Sequence, residues 1–113
     1  MKASLLKGYN QPLELTENAE IPTLSPSQPD HVLIKVIAAG VNPVDYKLAQ
    51  GDLSTFVSLT FPCVLGFDFS GVITQKGSNV SQFNVGDAVY GKISPDEAKR
   101  GGGAYQAYAV EYT

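Results

Sequence analysis

The sequence predicts a mainly β protein: a small, partly open β-barrel with one or two short helices. Eleven glycines and seven prolines separate short apolar runs along 113 residues, a pattern typical of short strands joined by tight turns. Hydrophobic residues make up 43% of the chain and charged residues 17%, which is the composition of a folded chain rather than a disordered one. At this length, residues 1–113 are expected to form one domain.

The first quarter of the chain is predicted to hold two short strands and a long connector. Residues 1–7 form the first strand, and residues 8–12 form a turn because Gly and Pro stand at its two ends. Residues 13–15 are a candidate return strand. Three prolines between residues 21 and 29 exclude a helix there and indicate an extended connector.

Residues 31–39, HVLIKVIAA, form the strongest predicted strand because they are rich in β-branched side chains. Strand side chains alternate between faces. The core face is expected to carry Val32, Ile34, Val36 and Ala38, and the other face Leu33, Lys35 and Ile37. Since the second face is also largely apolar, it is expected to be partly covered.

Residues 42–51, NPVDYKLAQG, carry the one clear helix signal. Asn42 is a good N-cap, and Pro43 suits the first helical position, where an N–H is not needed. Asp45 falls where its carboxylate can reach back to the helix start, as in a capping box. Gly51 is placed to end the helix in the left-handed conformation.

The second half of the chain is predicted to alternate short strands with turns. Residues 59–65 are an apolar entry into a strand at 66–73, and a further strand lies at 88–90. Residues 94–103 are predicted to be a polar loop ending in three glycines. Residues 104–110 are predicted as the last strand because aromatic and small residues alternate there.

Charge and cysteine content argue against several classes of function. Acidic residues outnumber basic ones by 11 to 8, so no basic stripe is available for a nucleic acid backbone. One cysteine excludes an internal disulfide and a multi-cysteine zinc site. No apolar run approaches the roughly 18 residues of a membrane span, and Gly8 and Pro12 interrupt any secretory signal. A cytoplasmic protein is therefore predicted.

Few side chains stand out as candidates for chemistry. His31, the single histidine, is predicted to be exposed at a strand start, and Cys63 to be a small buried apolar residue. The glycines at 101–103 precede a strand rather than a helix, so a flexible loop is expected instead of a phosphate-binding loop. Asp45 and Asp68 sit beside a helix start and a turn glycine, where backbone hydrogen bonding is the simpler role.

Asn42 and Lys47 bring an amide and a cation to one short helix. Such a pair can orient a carbonyl substrate or contact a phosphate or ribose of a cofactor. The residues alone leave this reading open beside a purely structural role for the helix start.

Residues 32–51, 61–91 and 102–112 together closely resemble the medium-chain dehydrogenase/reductase superfamily, in the family's own order. Within it, the similarity is to the zinc-free quinone oxidoreductase (zeta-crystallin-like) and alkenal/enone reductase branch. The resemblance extends over nearly the whole chain.

Two substitutions identify the branch. Zinc alcohol dehydrogenases carry Cys at the position of Asn42 and His at the position of Phe67. An amide and a phenyl ring cannot complete the tetrahedral shell of nitrogen and sulfur that zinc requires. The resemblance therefore implies that no metal is bound.

By resemblance, the fold is the GroES-like catalytic domain, which the family joins to a Rossmann domain that binds NADPH. The implied reaction is NADPH-dependent, zinc-independent hydride transfer to a quinone or an α,β-unsaturated carbonyl. The residues at the family's site positions fall into three groups: Asn42 and Asp45 as catalytic, Asn42, Tyr46 and Lys47 toward the cofactor, and Phe67 and Asp68 as walls of the substrate cleft.

The length of the chain departs from the family pattern. The sequence has no GxGxxG fingerprint after a strand, so the isolated chain is expected to be inactive, and a homodimer is an option only for a full-length protein. One alternative is a stand-alone GroES-like binding or interaction module without catalysis. Another is a chaperonin-10-type co-chaperone, against which the short, ordinary loop at residues 54–59 argues.

Overall fold

The computed structural model describes residues 1–100 and 102–113, and the elements in them are short. In chain order these are β1 (Ala3–Leu5), β2 (Glu14–Thr16), β3 (His31–Ala39), α1 (Pro43–Gln50), β4 (Asp68–Lys76), β5 (Ala88–Lys92), α2 (Pro95–Lys99) and β6 (Tyr108–Tyr112). β1 and β2 form one sheet, and the other strands form an antiparallel sheet in the order β5–β4–β3–β6. The predicted mainly β, open architecture is confirmed.

Two apolar clusters stabilise the domain. The first lies against the four-stranded sheet, where Ile34, Ile73 and Ile93 are almost fully buried. The second packs beneath α1 and includes Leu6, Leu48, Leu59, Cys63 and Leu65. α1 is thereby held against the loop that leads into β4, which is where the candidate site forms.

β3 has the predicted bounds, and its facing follows the prediction through Lys35. Val32 and Ile34 are buried, and Leu33 is buried too, as expected for a covered second face. Ala38 is exposed, which contradicts the prediction. The reason is a register shift between Val36 and Ala38 against β4, since one extra residue in a strand moves the alternation of faces by one position.

α1 confirms the predicted helix. It begins at Pro43 after the N-cap Asn42 and ends at Gln50. Gly51 adopts a φ of 82°, and its N–H donates to the Leu48 carbonyl at 3.1 Å, as expected for a left-handed helix end.

The prediction of a polar loop at residues 94–103 is wrong, because residues 95–99 form α2. The Ser94 hydroxyl caps this helix by accepting the Glu97 N–H at 3.4 Å, and Pro95 fills the first position. Of the predicted flexible glycines, residue 101 lies outside the described residues. Gly102 and Gly103 are bound, since their N–H groups donate to the carbonyls of residues 97 and 64 at 2.9 Å each.

The prediction of a last strand at residues 104–110 is shifted from the observed β6. Residues 104–107 use their backbone groups elsewhere: the N–H of Tyr105 donates to the Leu65 carbonyl and that of Ala107 to the Lys2 carbonyl, both at 2.9 Å. These contacts join the approach to β6 to Leu65 of the second apolar cluster and to the chain just before β1. They are non-local, so the local alternation pattern could not reveal them.

His31 also differs from its prediction. Its side chain is only 18% exposed, and Nε2 lies 3.5 Å from Oε1 of Glu97 on α2. Cys63 is buried, as predicted, and burial raises the pKa of its thiol. None of the described helices has the length and apolar character needed to cross a membrane.

Candidate functional site

The start of α1, the entry to β4 and the approach to β6 meet at the carboxylate of Asp45, which is 4% exposed. Its Oδ2 accepts the backbone N–H of Asn42 at 2.9 Å and the hydroxyl of Tyr105 at 3.0 Å. Its Oδ1 accepts the N–H of Gly66 at 3.0 Å. Neutral donors therefore compensate the burial of this carboxylate, and Asp45 holds the helix start, as the capping-box pattern predicted. The catalytic role that the resemblance implied for Asp45 stays a prediction.

Gly66 allows these three segments to come together, because a residue with a side chain would not fit at this position. Its φ is +98°, and a Cβ placed on it would lie 2.6 Å from the Tyr105 ring. A side chain at this position would thus be strained in backbone conformation and would clash with the aromatic ring. Phe67 follows this turn directly, and its side chain lines the cleft described below.

Asn42 presents its side chain on the other side of the helix start. Its Nδ2 donates to Oδ2 of Asp68 at 2.8 Å, and the Asp68 carbonyl accepts the Gly40 N–H at 2.9 Å. The amide is therefore oriented by Asp68 at the start of β4. The structure brings together three predicted residues: Asn42, Phe67 and Asp68.

These three side chains line an open cleft of about 410 Å³. Its other lining residues are Pro43, Val44 and Lys92. The cleft combines an amide, a carboxylate and an ammonium group with apolar and aromatic surface, which is the mixture typical of a small-molecule site.

An apolar cavity of about 210 Å³ adjoins the cleft, because Val44 and Phe67 line both. Its remaining walls come from α1, the 53–66 segment, α2 and Gly103: Leu48, Leu53, Val57, Leu59, Val64, Leu65, Gly66, Pro95, Ala98 and Lys99 complete the lining. A polar cleft beside an apolar cavity suits a molecule with a polar end and an apolar body.

The structure does not bring the two predicted cofactor residues of α1 into this cleft. Tyr46 is exposed and lines a different groove, shared with Asp45 and Tyr105. Lys47 is exposed on α1 and lies outside the cleft lining within the described residues. The roles expected for Tyr46 and Lys47 stay predictions.

Two residues of the site were not anticipated from the sequence. Lys92 reaches the cleft from the end of β5, and Tyr105 bonds to Asp45 from 60 positions along the chain. Burial and the Asp45 carboxylate, with a further contribution from Asp68, raise the pKa of Tyr105 above its ordinary value. Its hydroxyl therefore stays protonated and remains a donor. The sequence signal that could have identified Tyr105 is its position soon after two glycines in segment 102–112, which resembles the family.

Metal-binding side chains are not clustered in the part of the chain that the structure describes. Across residues 1–100 and 102–113, no three His, Cys, Asp or Glu side chains are grouped so that they could hold a metal ion.

Comparisons with known proteins agree with the sequence resemblance. The chain is 34% identical over 110 residues to a chloroplastic quinone-oxidoreductase homolog of Spinacia oleracea, covering 97% of this chain and 32% of that protein. It is 38% identical over 115 residues to the chloroplastic NADPH-dependent alkenal/one oxidoreductase of Arabidopsis thaliana, covering 100% of this chain and 28% of that protein. The chain thus spans about a third or less of each relative's length.

The fold matches solved structures equally well. A crystal structure of an alcohol dehydrogenase superfamily protein from Novosphingobium aromaticivorans superposes with a TM-score of 0.81 at 30% identity. The match covers 99% of this chain and 32% of that one.

The relatives contradict the expected cytoplasmic location. Both plant proteins are chloroplastic, and a further relative, from Bos taurus, is a mitochondrial NAD(P)H oxidoreductase. The prediction rested on the absence of a secretory signal, which does not distinguish the cytoplasm from an organelle.

The similarity to quinone and alkenal oxidoreductases of the medium-chain dehydrogenase/reductase superfamily is thereby confirmed. Residues 28–111 match the family model of the alcohol dehydrogenase GroES-like domain. The chain therefore belongs to the alcohol dehydrogenase GroES-like domain family.

Proposed function

We propose that this chain, as one domain over residues 1–113, provides the substrate-binding part of an NADPH-dependent, zinc-independent oxidoreductase that reduces quinones or α,β-unsaturated carbonyls. The observation that carries the proposal is the Asn42 amide, held by Asp68 at the mouth of a polar cleft that adjoins an apolar cavity. The chloroplastic and mitochondrial relatives support an organelle as the place of action.

The residues of the cleft fit the polar and aromatic chemistry of a nicotinamide. Asn42 offers amide donors and an acceptor, Phe67 offers a ring face, and Lys92 offers a cation. NADPH, when bound, supplies the hydride, and the protein supplies binding and orientation. Because the chain covers 28–32% of the relatives' length, most contacts to the cofactor are expected from a second domain.

Asn42 has the central role in orienting the substrate. One Nδ2 hydrogen is directed to Asp68, which fixes the plane of the amide and leaves the second hydrogen available to a carbonyl oxygen. A donor that is already oriented needs little reorganisation as negative charge develops on that oxygen during reduction.

The apolar cavity selects the body of the substrate. Its walls are almost entirely aliphatic, so it favours the ring of a quinone or the alkyl part of an enone and disfavours water. Exclusion of water strengthens the hydrogen bond from Asn42 to the substrate carbonyl.

Zinc independence rests on side-chain chemistry. Asn42 and Phe67 occupy the positions where the resemblance places two zinc ligands in alcohol dehydrogenases, and neither side chain ligates zinc well. We expect the activity to survive prolonged treatment with a chelator.

The proposal is tested by joining this chain to the remaining domain of the Arabidopsis alkenal/one oxidoreductase. We expect acceptor-dependent oxidation of NADPH with quinones or alkenals, and we expect Asn42→Ala to lower kcat/KM about tenfold, since one oriented donor is lost. Asn79→Ala, which changes an exposed turn residue, is the matched control. A folded fusion that is inactive with both acceptor classes would contradict the proposal and favour a binding module without catalysis.

A further inference from the structure

Tyr105 joins segments that are far apart in the sequence. Its hydroxyl lies 3.0 Å from Oδ2 of Asp45 and 3.3 Å from the Gly40 carbonyl. Its backbone N–H donates to the Leu65 carbonyl at 2.9 Å, and its ring lies against Gly66. One side chain thus contacts the end of β3, the first turn of α1 and the entry to β4.

We propose that Tyr105 is a positioning residue for the Asn42 cleft: by hydrogen bonding to Asp45, it sets the relative placement of Asn42 and Phe67. The effect of Tyr105 on the reduction rests on the proposed function. The placement of Asn42 and Phe67, which we call the geometric part, rests only on hydrogen bonds and packing within this domain.

Asp45 is the link between Tyr105 and the cleft. One carboxylate oxygen accepts both the Tyr105 hydroxyl and the Asn42 N–H, and the other accepts the Gly66 N–H. Rotation of this carboxylate would therefore move the helix start and the β4 entry relative to each other. Among the described residues, the Tyr105 hydroxyl is the one side-chain donor to Asp45, so it can be removed by mutation without altering the backbone.

The Tyr105 ring restricts the same movement from a second direction. It occupies the space where a Cβ on residue 66 would lie, so the β4 entry cannot shift toward the ring. Removal of the hydroxyl alone leaves this contact in place, which separates the hydrogen-bonding contribution of Tyr105 from its packing.

The first test compares Tyr105→Phe with Tyr108→Phe by nuclear magnetic resonance of the isolated chain. Tyr108 is a half-buried residue of β6, and its substitution makes the same chemical change away from Asp45. We expect Tyr105→Phe to shift the side-chain amide signals of Asn42 and the backbone amide signal of Gly66, and Tyr108→Phe to leave both near their wild-type positions. A folded Tyr105→Phe protein with unchanged Asn42 and Gly66 signals would overturn the proposal.

The second test uses the active fusion. We expect Tyr105→Phe to lower kcat about tenfold while KM for NADPH changes less than about twofold, because a displaced orienting group affects the reacting geometry more than cofactor affinity. An equal loss of kcat in Tyr105→Phe and Tyr108→Phe would show general destabilisation and would overturn the proposed effect of Tyr105 on the reduction. If the wild-type fusion is inactive, the proposed function fails, while the resonance comparison still decides the geometric part.

A measurement on the wild type covers the case in which Tyr105→Phe does not fold. The hydroxyl proton of Tyr105 should be observable and slow to exchange with water, because it is donated to a buried carboxylate. A hydroxyl proton that exchanges as fast as that of an exposed tyrosine, such as Tyr90, would overturn the proposal.

Discussion

In the described part of the domain, buried carboxylates occur in two polar clusters, and these are stabilised in different ways. Asp45, beside the candidate site, accepts hydrogen bonds from two backbone N–H groups and one hydroxyl. Glu97 and Glu111, at the opposite end of the long strands, are each 7% exposed, and burial, with a smaller contribution from Glu97, raises the pKa of Glu111. The first cluster has one charge and neutral donors, whereas the second brings two acids together.

The second cluster depends on further titratable groups. Oε1 of Glu97 lies 3.5 Å from His31 Nε2 and 3.3 Å from an Arg100 nitrogen, and Nδ1 of His31 is buried without a hydrogen-bond partner in the described part of the chain. Glu111 accepts N–H groups from Ser94 at 2.7 Å and from its neighbour at 2.9 Å. Its pKa is raised mainly by burial, and these bonds offset only part of that effect.

The difference shows where the domain needs fixed geometry. Asp45 accepts donors from three separate segments, which holds the walls of the Asn42 cleft in one arrangement. The second cluster joins two acids, a histidine and an arginine, and in the described part of the chain these four residues lie outside the cleft lining.

The largest expected effect comes from removing the carboxylate of the first cluster. Asp45→Ala leaves the N–H groups of Asn42 and Gly66 without their acceptor and removes one acceptor of the Tyr105 hydroxyl, so we expect the free energy of unfolding to fall by about 3 kcal/mol. Urea denaturation measures the change, and Asp52→Ala, at an exposed position just after α1, should cost less than about 0.5 kcal/mol. Similar losses in both variants would refute the anchoring role of Asp45.

A smaller, pH-dependent effect on the free energy of unfolding is expected from Glu111 in the second cluster. Because the pKa of Glu111 is raised in the folded protein from its ordinary 4.5, the folded state binds this proton more tightly than the unfolded state does. The resulting stability is present below that value and is lost as the pH rises through the raised pKa. Glu111→Gln should therefore reduce the fall in stability over this range.

Denaturation curves at a series of pH values test this expectation. Glu20→Gln, at an exposed position, is the control and should leave the pH profile unchanged. A Glu111→Gln profile identical to that of the wild type would mean that other groups produce the pH dependence.

The smallest expected effect concerns Tyr105, and this change in stability is expected only at alkaline pH. Burial and the Asp45 carboxylate raise its pKa, so the folded state keeps the phenolic proton longer than the unfolded state does. Its contribution is complete below about pH 10, the ordinary tyrosine value, and is lost as the pH rises further. Tyr105→Phe should lack this alkaline loss, which thermal unfolding at increasing pH measures. An unchanged alkaline profile would contradict it.

Local patterns accounted for the elements that local physics stabilises. α1 has the predicted bounds because Asn42, Pro43 and Gly51 cap it within the segment itself. β3 has the predicted bounds because β-branched residues recur along it without an intervening Gly or Pro. α2 differs from the predicted loop although Ser94 and Pro95 carry the same kind of capping signal, since the neighbouring glycines and polar residues are more typical of a loop.

The candidate site likewise contains residues whose place the sequence indicated and residues whose place it did not. The resemblance implied a catalytic and cofactor role for Asn42 and a substrate-cleft role for Phe67 and Asp68, and the structure shows the three side chains lining one cleft. It grouped Asn42 with Lys47 toward the cofactor, but the turn of α1 leaves Lys47 outside the described lining of the cleft. The roles of all four residues stay predictions. Position within a motif does not establish which face of a helix a side chain occupies.

The sequence by itself determined the fold class, the bounds of β3 and the capped helix, because these follow from alternation and capping within short segments. The second long strand was predicted at residues 66–73, whereas β4 spans Asp68–Lys76. Only the tertiary structure decided the register of β6, the burial of His31 and the bond between Tyr105 and Asp45. That bond joins residues 60 positions apart. Such contacts depend on how the segments pack, since a buried carboxylate takes its donors from whatever backbone and side chains the fold brings within reach.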